Sequence, residues 1–390
     1  MTGARPTASP MKIVEVTNVD FSLRHFLLPL MRSARERGHD VIGVCADGPL
    51  LEGVRAEGFR VETVAFQRRL SPMRNLSALI ALVRLLRSEK PDIVHAHMPI
   101  SGFLARLAAR IAGVPCVAYT CHGFLFNQGG GPLIRSASYA MERIAAGWTD
   151  IWTSVSEADA ADARRLGICR QPVVVGNGRD PDIFRPDREA RARVRSELGA
   201  QEGAVVVVAV SRLVADKGYA ELAAAMRDVP DAELWVVGER LATDRGQDVA
   251  ALLERAGLGP RLRRLGYRHD VAAVLAAADI FVLPSYHEAL PMSVIEAMLA
   301  GLPVVASDLP GTRQQVEDGR TGILVPPREV QPLAAALMRL VRDPDLRDAM
   351  GQAGRTRAMR LFDESRVVGG LLDLLGLQDP ARSASARHNR

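Results

Sequence analysis

Two short apolar runs separated by a helix-length interval constrain this chain more than any other feature. Ile280-Phe281-Val282-Leu283, stopped by Pro284, reads as a buried strand, and Pro303-Val304-Val305-Ala306-Ser307 reads as the next. Between them Val294, Ile295, Met298 and Leu299 keep an apolar stripe. Pro291 suits the first helical turn, where a missing N–H leaves no bond unmade, and Gly301 with Pro303 supplies the stop. The order strand, loop, helix, strand puts the loop at a strand's carboxyl end, where open parallel sheets hold ligands.

The same alternation runs along the whole chain. Strand patterns fall at residues 11–16, 41–44, 61–64, 92–95, 116–120 and 150–154, and again at 204–210, 233–238, 262–265, 280–283, 304–307 and 322–325. Helical patterns such as 22–37, 74–89 and 100–112 separate most of them, which predicts an α/β fold of doubly wound parallel sheets. At 390 residues the chain is too long for one typical domain. The turn-rich piece Val175-Gly176-Asn177-Gly178-Arg179-Asp180 sets the boundary, giving one Rossmann-like domain over 11–178 and a second over 179–363. A last helical pattern runs through 364–379, and the tails 1–10 and 380–390 read as disordered.

Composition narrows the classes. Cys45, Cys116, Cys121 and Cys169 have no metal-ligand spacing, so no metal is implied and a reducing cytoplasm is favoured. The first ten residues lack the apolar core of a signal peptide, and no span of membrane length is free of charge. Residues 1–180 hold 22 Lys/Arg against 16 Asp/Glu, so the basic excess belongs to the first half. That excess suits the inner face of an anionic membrane or a diphosphate-bearing acceptor, and equally an Arg-rich solvated surface. No nucleic-acid motif accompanies it.

From Pro291 to Glu296 the helix rises roughly 8 Å, so Glu288 in the loop and Glu296 on the helix are too far apart to share a proton. They suit hydroxyls from two parts of one ligand, while the backbone N–H groups of Leu290, Met292 and Ser293 mark a helix N-terminus that attracts anions. Carboxylates for hydroxyls beside an N-terminus for phosphate describe a nucleotide-sugar site. A second loop, Ser211-Arg212-Leu213-Val214-Ala215-Asp216-Lys217-Gly218, delivers two cations after a strand, the placement a diphosphate leaving group needs.

The run Glu288-Ala289-Leu290-Pro291-Met292-Ser293-Val294-Ile295-Glu296-Ala297-Met298, followed by Ala300-Gly301-Leu302-Pro303-Val304-Val305-Ala306, resembles the Glu-seven-residues-Glu signature of family 4 retaining glycosyltransferases of GT-B fold. The likeness extends from Lys12 to about Leu375 and, through HGF, GPL and ME in the first half, is greatest to bacterial enzymes that build capsule, O-antigen or lipid-linked oligosaccharides. It implies two Rossmann-like domains facing a central cleft, the first binding acceptor and the second nucleotide-sugar, with the helix of 364–379 packed back on the first. It implies that Glu288 holds the sugar, Glu296 the ribose, and Arg212 with Lys217 the diphosphate, with no metal or other cofactor. His122 resembles the family's histidine that reaches towards the transferred sugar, whereas His95 and His97 are read as structural. Gly266-Tyr267-Arg268-His269-Asp270 resembles the loop beside the nucleobase, with Gly238 in the same region. Two departures stand out: Thr17-Asn18-Val19-Asp20-Phe21-Ser22 lacks the glycines many relatives have there, and Gln314 replaces a common glutamate. Gly129-Gly130-Gly131, with no Lys-Ser/Thr after it, reads as a mobile loop.

The expected reaction is transfer of a hexose or N-acetylhexosamine from a UDP-sugar to a polyprenyl-diphosphate-linked saccharide, forming an α-linkage at the cytoplasmic side of the membrane. The alternatives are a nucleotide-sugar epimerase, a phosphorylase, or a silent nucleotide-sugar-binding scaffold. An NAD enzyme is disfavoured because no G-x-G-x-x-G follows the first strand.

Overall fold

Each half of the chain winds its apolar runs into one parallel sheet. A computed structural model describes residues 9–66, 72–127, 131–201, 203–240, 244 and 246–378. The described residues up to Gly176, together with those from Arg366 onward, form one compact unit, and Asn177–Ser365 form another.

In the first unit β1 (Lys12–Val16), β2 (Asp40–Cys45), β3 (Arg60–Thr63), β4 (Ile93–His97), β5 (Cys116–Cys121), β6 (Ile151–Ser154) and β7 (Val173–Val174) lie in the order β3-β2-β1-β4-β5-β6-β7. Period-two alternation sorts their side chains between two cores. Val14, Val16, Ile42, Val94 and Ala96 belong to one, packed with Leu82, Leu104 and Ala108 of helices Pro72–Glu89 and Pro99–Ala112. Ile13, Val41, Ile93 and Ala118 belong to the other, with Leu28 and Met31 of helix Leu28–Glu36. That second core also takes Leu371, Leu372, Leu375 and Leu377 from helix Glu364–Leu374 and the turn after it. Arg37 Nη1 pins this last segment by donating to Asp373 Oδ1 and Leu377 O.

In the second unit β8 (Val205–Val210), β9 (Ala232–Val237), β10 (Leu262–Gly266), β11 (Ile280–Leu283), β12 (Val304–Ser307) and β13 (Gly322–Val325) lie in the order β10-β9-β8-β11-β12-β13. Every strand pair in both sheets is parallel. Both sheets therefore reverse their winding once, between β1 and β4 and between β8 and β11, and such switch points leave a crevice at the strands' carboxyl ends.

Several expectations shift. The helix expected over 22–37 is three pieces, with a π-helical segment Leu23–Leu27 between α-helical Asp20–Ser22 and Leu28–Glu36. Pro291 is not in the first helical turn: its ψ of 124° is extended, and the helix begins at Met292. Leu290 therefore lies outside the helix, and its N–H is not one of the terminal donors. The units divide between residues 176 and 177 because Asn177 Nδ2 donates to Leu290 O at 2.8 Å and Arg179 exchanges backbone bonds with Phe362 and Glu364. The expected tails lie outside the described residues but for Ser9 and Pro10, as do Gly129 and Gly130; Gly131 precedes helix Pro132–Ala145.

Candidate functional site

At the β8/β11 switch point two loops are drawn together by backbone contacts that only glycine permits. Gly218, after the 3-10 turn Ala215–Lys217, has φ 71°, and a Cβ there would stand 2.0 Å from Pro284 O. Tyr286 N donates to Asp216 O at 2.8 Å, closing the loop after β11 onto the loop after β8. This approach brings Lys217 Nζ 2.6 Å from Glu288 Oε1, with side-chain exposures of 18% and 10%. From the other side Gly311 approaches the same loop, where a Cβ would meet Ala289 O at 2.0 Å.

Beside Glu288 begins helix Met292–Leu299, whose N-terminus carries no side-chain cap, so its first N–H groups are left for a ligand. Two side-chain amides, that of Gln315 buried, fix the carbonyls just before it: Asn177 Nδ2 on Leu290 O, and Gln315 Nε2 on Pro291 O at 2.9 Å. One turn into the helix, Glu296 is paired with Arg179, Nε to Oε1 at 2.6 Å, and both side chains are about nine-tenths buried. The two carboxylates thus have a cation each, consistent with their expected separation.

The ends of β8, β9 and β10 are joined in the same manner. Gly238 has φ 124°, a Cβ on it would lie 2.0 Å from Ser211 O, and its N–H donates to Gly266 O at 2.8 Å. A cavity of about 400 Å³ opens here, lined by Leu213, Gly238, Glu239, Arg240, Asp248 and Gly266 among others. Gly238→Ala is expected to lower stability by about 3 kcal/mol, from overpacking and an unfavourable φ together. Urea denaturation measures it, and a loss below about 0.5 kcal/mol would show that this close approach is dispensable.

The remaining expected residues divide. Tyr267 is 37% exposed and edge-on to His269 at 4.9 Å, its N–H held by Glu239 Oε1. Arg268 is engaged within its own unit: Asp270 binds it through two oxygens at 2.7 Å and Glu197 at 2.8 Å. Arg212 shares the loop of Lys217, but its Nη1 lies 2.5 Å from Asp244 Oδ1 and its side chain is 44% exposed.

In the first unit the switch point carries polar groups where the strand alternation leads one to expect core. Glu15, His95, His97 and Thr120 continue the face that holds Ile13, Ile93 and Ala118, and all four are buried. Glu15 binds His95 Nδ1 at 3.1 Å and His97 Nε2 at 2.9 Å. His97 Nδ1 lies 3.1 Å from His122 Nε2, so the histidine read as functional and one read as structural belong to one chain. Glu15, His95 and His97 bring potential metal-ligand atoms within 4.8 Å of one another. Burial would raise the Glu15 carboxyl, but the charge and hydrogen bonds of His95 and His97 hold it down at about 2. Burial, then the charge of His95, lowers His97 to about 4 against the pull of Glu15, and burial with both neighbours pushes His122 well down.

These values fix the sign of an acid response. Between pH 6.5 and 4 the unfolded chain binds a proton at residue 97 that the folded chain refuses, and between 4.5 and 2 the same holds for Glu15. Stability rises with pH wherever the unfolded state binds more protons. The melting temperature is therefore expected to be level between pH 7 and 8 and to fall as pH drops through 6.5 to 4; calorimetry showing it unchanged at pH 4.5 would refute the buried-neutral assignment.

Sequence reasoning missed Arg179, Asn177, Gln315 and Glu15. Glu15 alone left a trace, a carboxylate inside the apolar strand MKIVEV. Nothing local marks Arg179 as the partner of a residue 117 positions away.

Comparison with known proteins places these features. The family profile Glycosyl transferases group 1 matches residues 190–357, and Glycosyl transferase 4-like domain matches 23–178. The chain is 31% identical to the Escherichia coli UDP-Gal:alpha-D-GlcNAc-diphosphoundecaprenol alpha-1,3-galactosyltransferase, over 86% of this chain and 88% of that protein. It is 25% identical to the Campylobacter jejuni N,N'-diacetylbacillosaminyl-diphospho-undecaprenol alpha-1,3-N-acetylgalactosaminyltransferase, over 93% and 98%. Among solved structures, Anabaena HepE in complex with UDP and glucose superposes with a TM-score of 0.81 at 23% identity, covering 94% of this chain and 99% of that one. Two doubly wound parallel sheets joined in one chain are the architecture of the GT-B enzymes, and this chain belongs to the family 4 glycosyltransferases of that fold. It is a hexosyltransferase that uses a nucleotide-sugar donor.

Proposed function

We propose that the chain moves a hexose or N-acetylhexosamine from UDP to a polyprenyl-diphosphate-linked saccharide, with retention and an α-linkage in the product. The observation that carries this reading is the Lys217–Glu288 pair at the β8/β11 switch point, beside an uncapped helix N-terminus. The names of the Escherichia coli and Campylobacter jejuni relatives, both acting on undecaprenol-linked acceptors, support the acceptor class.

In this reading Glu288 accepts hydroxyls of the transferred sugar, and Glu296, held by Arg179, accepts those of the ribose. The N–H groups of Met292 and Ser293 meet the diphosphate beside Lys217, which keeps its bond to Glu288. Lys217, with Arg212 once it leaves Asp244, takes up the charge that develops as the sugar–phosphate bond breaks, so no resident metal is needed. Both site carboxylates are paired with cations and neither is placed as a free nucleophile. The acceptor hydroxyl therefore attacks on the face the nucleotide is leaving, and its proton passes to the departing phosphate oxygen. His122 orients a hydroxyl of the transferred sugar or of the acceptor.

The enzyme works at the inner face of the membrane in this proposal. Among the described residues no helix is long and apolar enough to cross a bilayer. Helix Pro132–Ala145 nevertheless exposes Leu133, Ile134 and Ile144 with Arg143 beside them, a face suited to an anionic surface.

The test is UDP release from a panel of sugar nucleotides, with native lipid extract as acceptor and EDTA in a parallel arm, followed by NMR of the product's anomeric centre. Acceptor-dependent release, unaffected by EDTA, and an α-anomer are expected. A β-anomer, or release abolished by EDTA and restored by a divalent ion, would overturn the mechanism.

A further inference from the structure

The hydrogen bonds at the β1/β4 switch point determine where the protons of His122 lie. A carboxylate only accepts, so both histidines that touch Glu15 donate to it: His95 through Nδ1 and His97 through Nε2. A neutral imidazole that donates through one nitrogen accepts through the other, which makes His97 Nδ1 the acceptor of a bond from His122 Nε2–H at 3.1 Å. His122 Nδ1 is then left with its lone pair, and among the described residues none hydrogen-bonds to it.

The rest of the cluster holds this arrangement. His95 Nε2 contacts Thr120 Oγ1 at 2.8 Å, and Thr120 contacts Thr153 Oγ1 at 2.7 Å, so Glu15 is braced from its second side. The side chains of Glu15, His95 and His97 are 3% exposed or less, which leaves water little room to exchange their roles. Phe26, carried by the π-helical turn Leu23–Leu27, lies 18° from parallel to the His122 ring with centroids 6.4 Å apart. A π-helical turn is rare and recurs at functional sites.

We propose that Glu15 and His97 are positioning residues that lock His122 as the Nε2–H tautomer, so that its Nδ1 presents a lone pair to a hydroxyl of a saccharide substrate. The inference rests on the reading of His122 as the hydroxyl-orienting group. It gives that group a direction of hydrogen bonding: the hydroxyl donates and the ring accepts. A buried acid that sets the tautomer of a working histidine is established chemistry, and where it is lost in a serine protease turnover falls about 10⁴-fold. The low proton affinity of His97 and His122 agrees with both rings staying neutral at physiological pH.

The experiment is a long-range ¹H–¹⁵N correlation of the histidine ring nitrogens in the full-length protein, on wild type, Glu15→Leu and His122→Ala, with kcat and donor KM on the same samples. In the wild type, His97 and His122 are each expected to carry a single proton on Nε2. In Glu15→Leu, His97 loses the acceptor that fixes it, so His122 is expected to become a mixture of tautomers, with kcat down at least about thirtyfold and donor KM within about threefold. Should Glu15→Leu fail to fold, the wild-type spectrum decides alone. His122 protonated on Nδ1, a doubly protonated His97, or one equivalent of tightly held zinc on Glu15, His95 and His97 would each overturn the relay. Normal turnover in His122→Ala would instead remove the underlying reading of His122, while the ring spectra continue to judge the proton arrangement.

Discussion

Lys217→Ala is expected to lower turnover at least about a hundredfold, a barrier increase of roughly 3 kcal/mol, comparable to removing one preorganised group from an anion-stabilising site. Its side chain is 18% exposed and its ammonium is bonded to Glu288 at 2.6 Å, so it is held in place before any ligand arrives. A cation fixed in advance needs no reorganisation as charge develops on the leaving phosphate, and that is the source of the effect. The substitution has a second consequence, since Glu288 is 10% exposed and loses its partner. Lys217→Met with Glu288→Gln removes the stranded charge, so the pair should melt close to wild type, and Glu288→Gln alone measures how much of its slower turnover belongs to the sugar-holding carboxylate. Steady-state kinetics on a purified UDP-sugar and lipid acceptor decides, and near-normal kcat in Lys217→Ala would remove Lys217 from the mechanism.

Arg179→Met is expected to destabilise the second unit by about 3–5 kcal/mol, because it strands the carboxylate of Glu296 in a site nine-tenths buried. The backbone of Arg179 also bonds to Phe362 and Glu364, but those bonds survive the substitution. Adding Glu296→Gln removes the stranded charge and should recover most of the loss. If Glu296 also holds ribose hydroxyls, the double variant stays stable yet shows donor KM raised at least about tenfold, since a neutral amide accepts hydroxyls less strongly than a carboxylate. Denaturation and donor titration on the same protein distinguish the roles. A double variant with wild-type KM would leave Glu296 a purely structural partner of Arg179.

Much of the architecture was legible because a parallel sheet writes itself locally. Runs such as Val205–Val210 and Ile280–Leu283 are buried on both faces and therefore apolar throughout, and each is followed by a helix that must return the chain. The Glu288 to Glu296 stretch was equally legible, since its glutamates lie in one continuous unit. What was hidden depends on tertiary approach. That Asp270 and Glu197 hold the Arg268 guanidinium could not be read from the chain, since Glu197 lies 71 residues away. His95 and His97 were read as separate core histidines, because no spacing along the chain reveals that Glu15, 80 and 82 residues away, meets both. The π-helical turn at Leu23–Leu27 was invisible for another reason: its residues fit an ordinary helical pattern, and only the hydrogen-bond registry differs.

The closing helix has a bearing on biosynthesis. Leu371, Leu372, Leu375 and Leu377 complete an apolar face that Ile13, Leu28 and Met31 present from the opposite end of the chain. A polypeptide emerging from the ribosome can assemble the strands of its first sheet and the helix Leu28–Glu36 early, yet part of one side of that sheet stays uncovered until residues 371–377 have been translated. The half that is made first is thus the half that matures last, and in the interval a greasy surface awaits its cover.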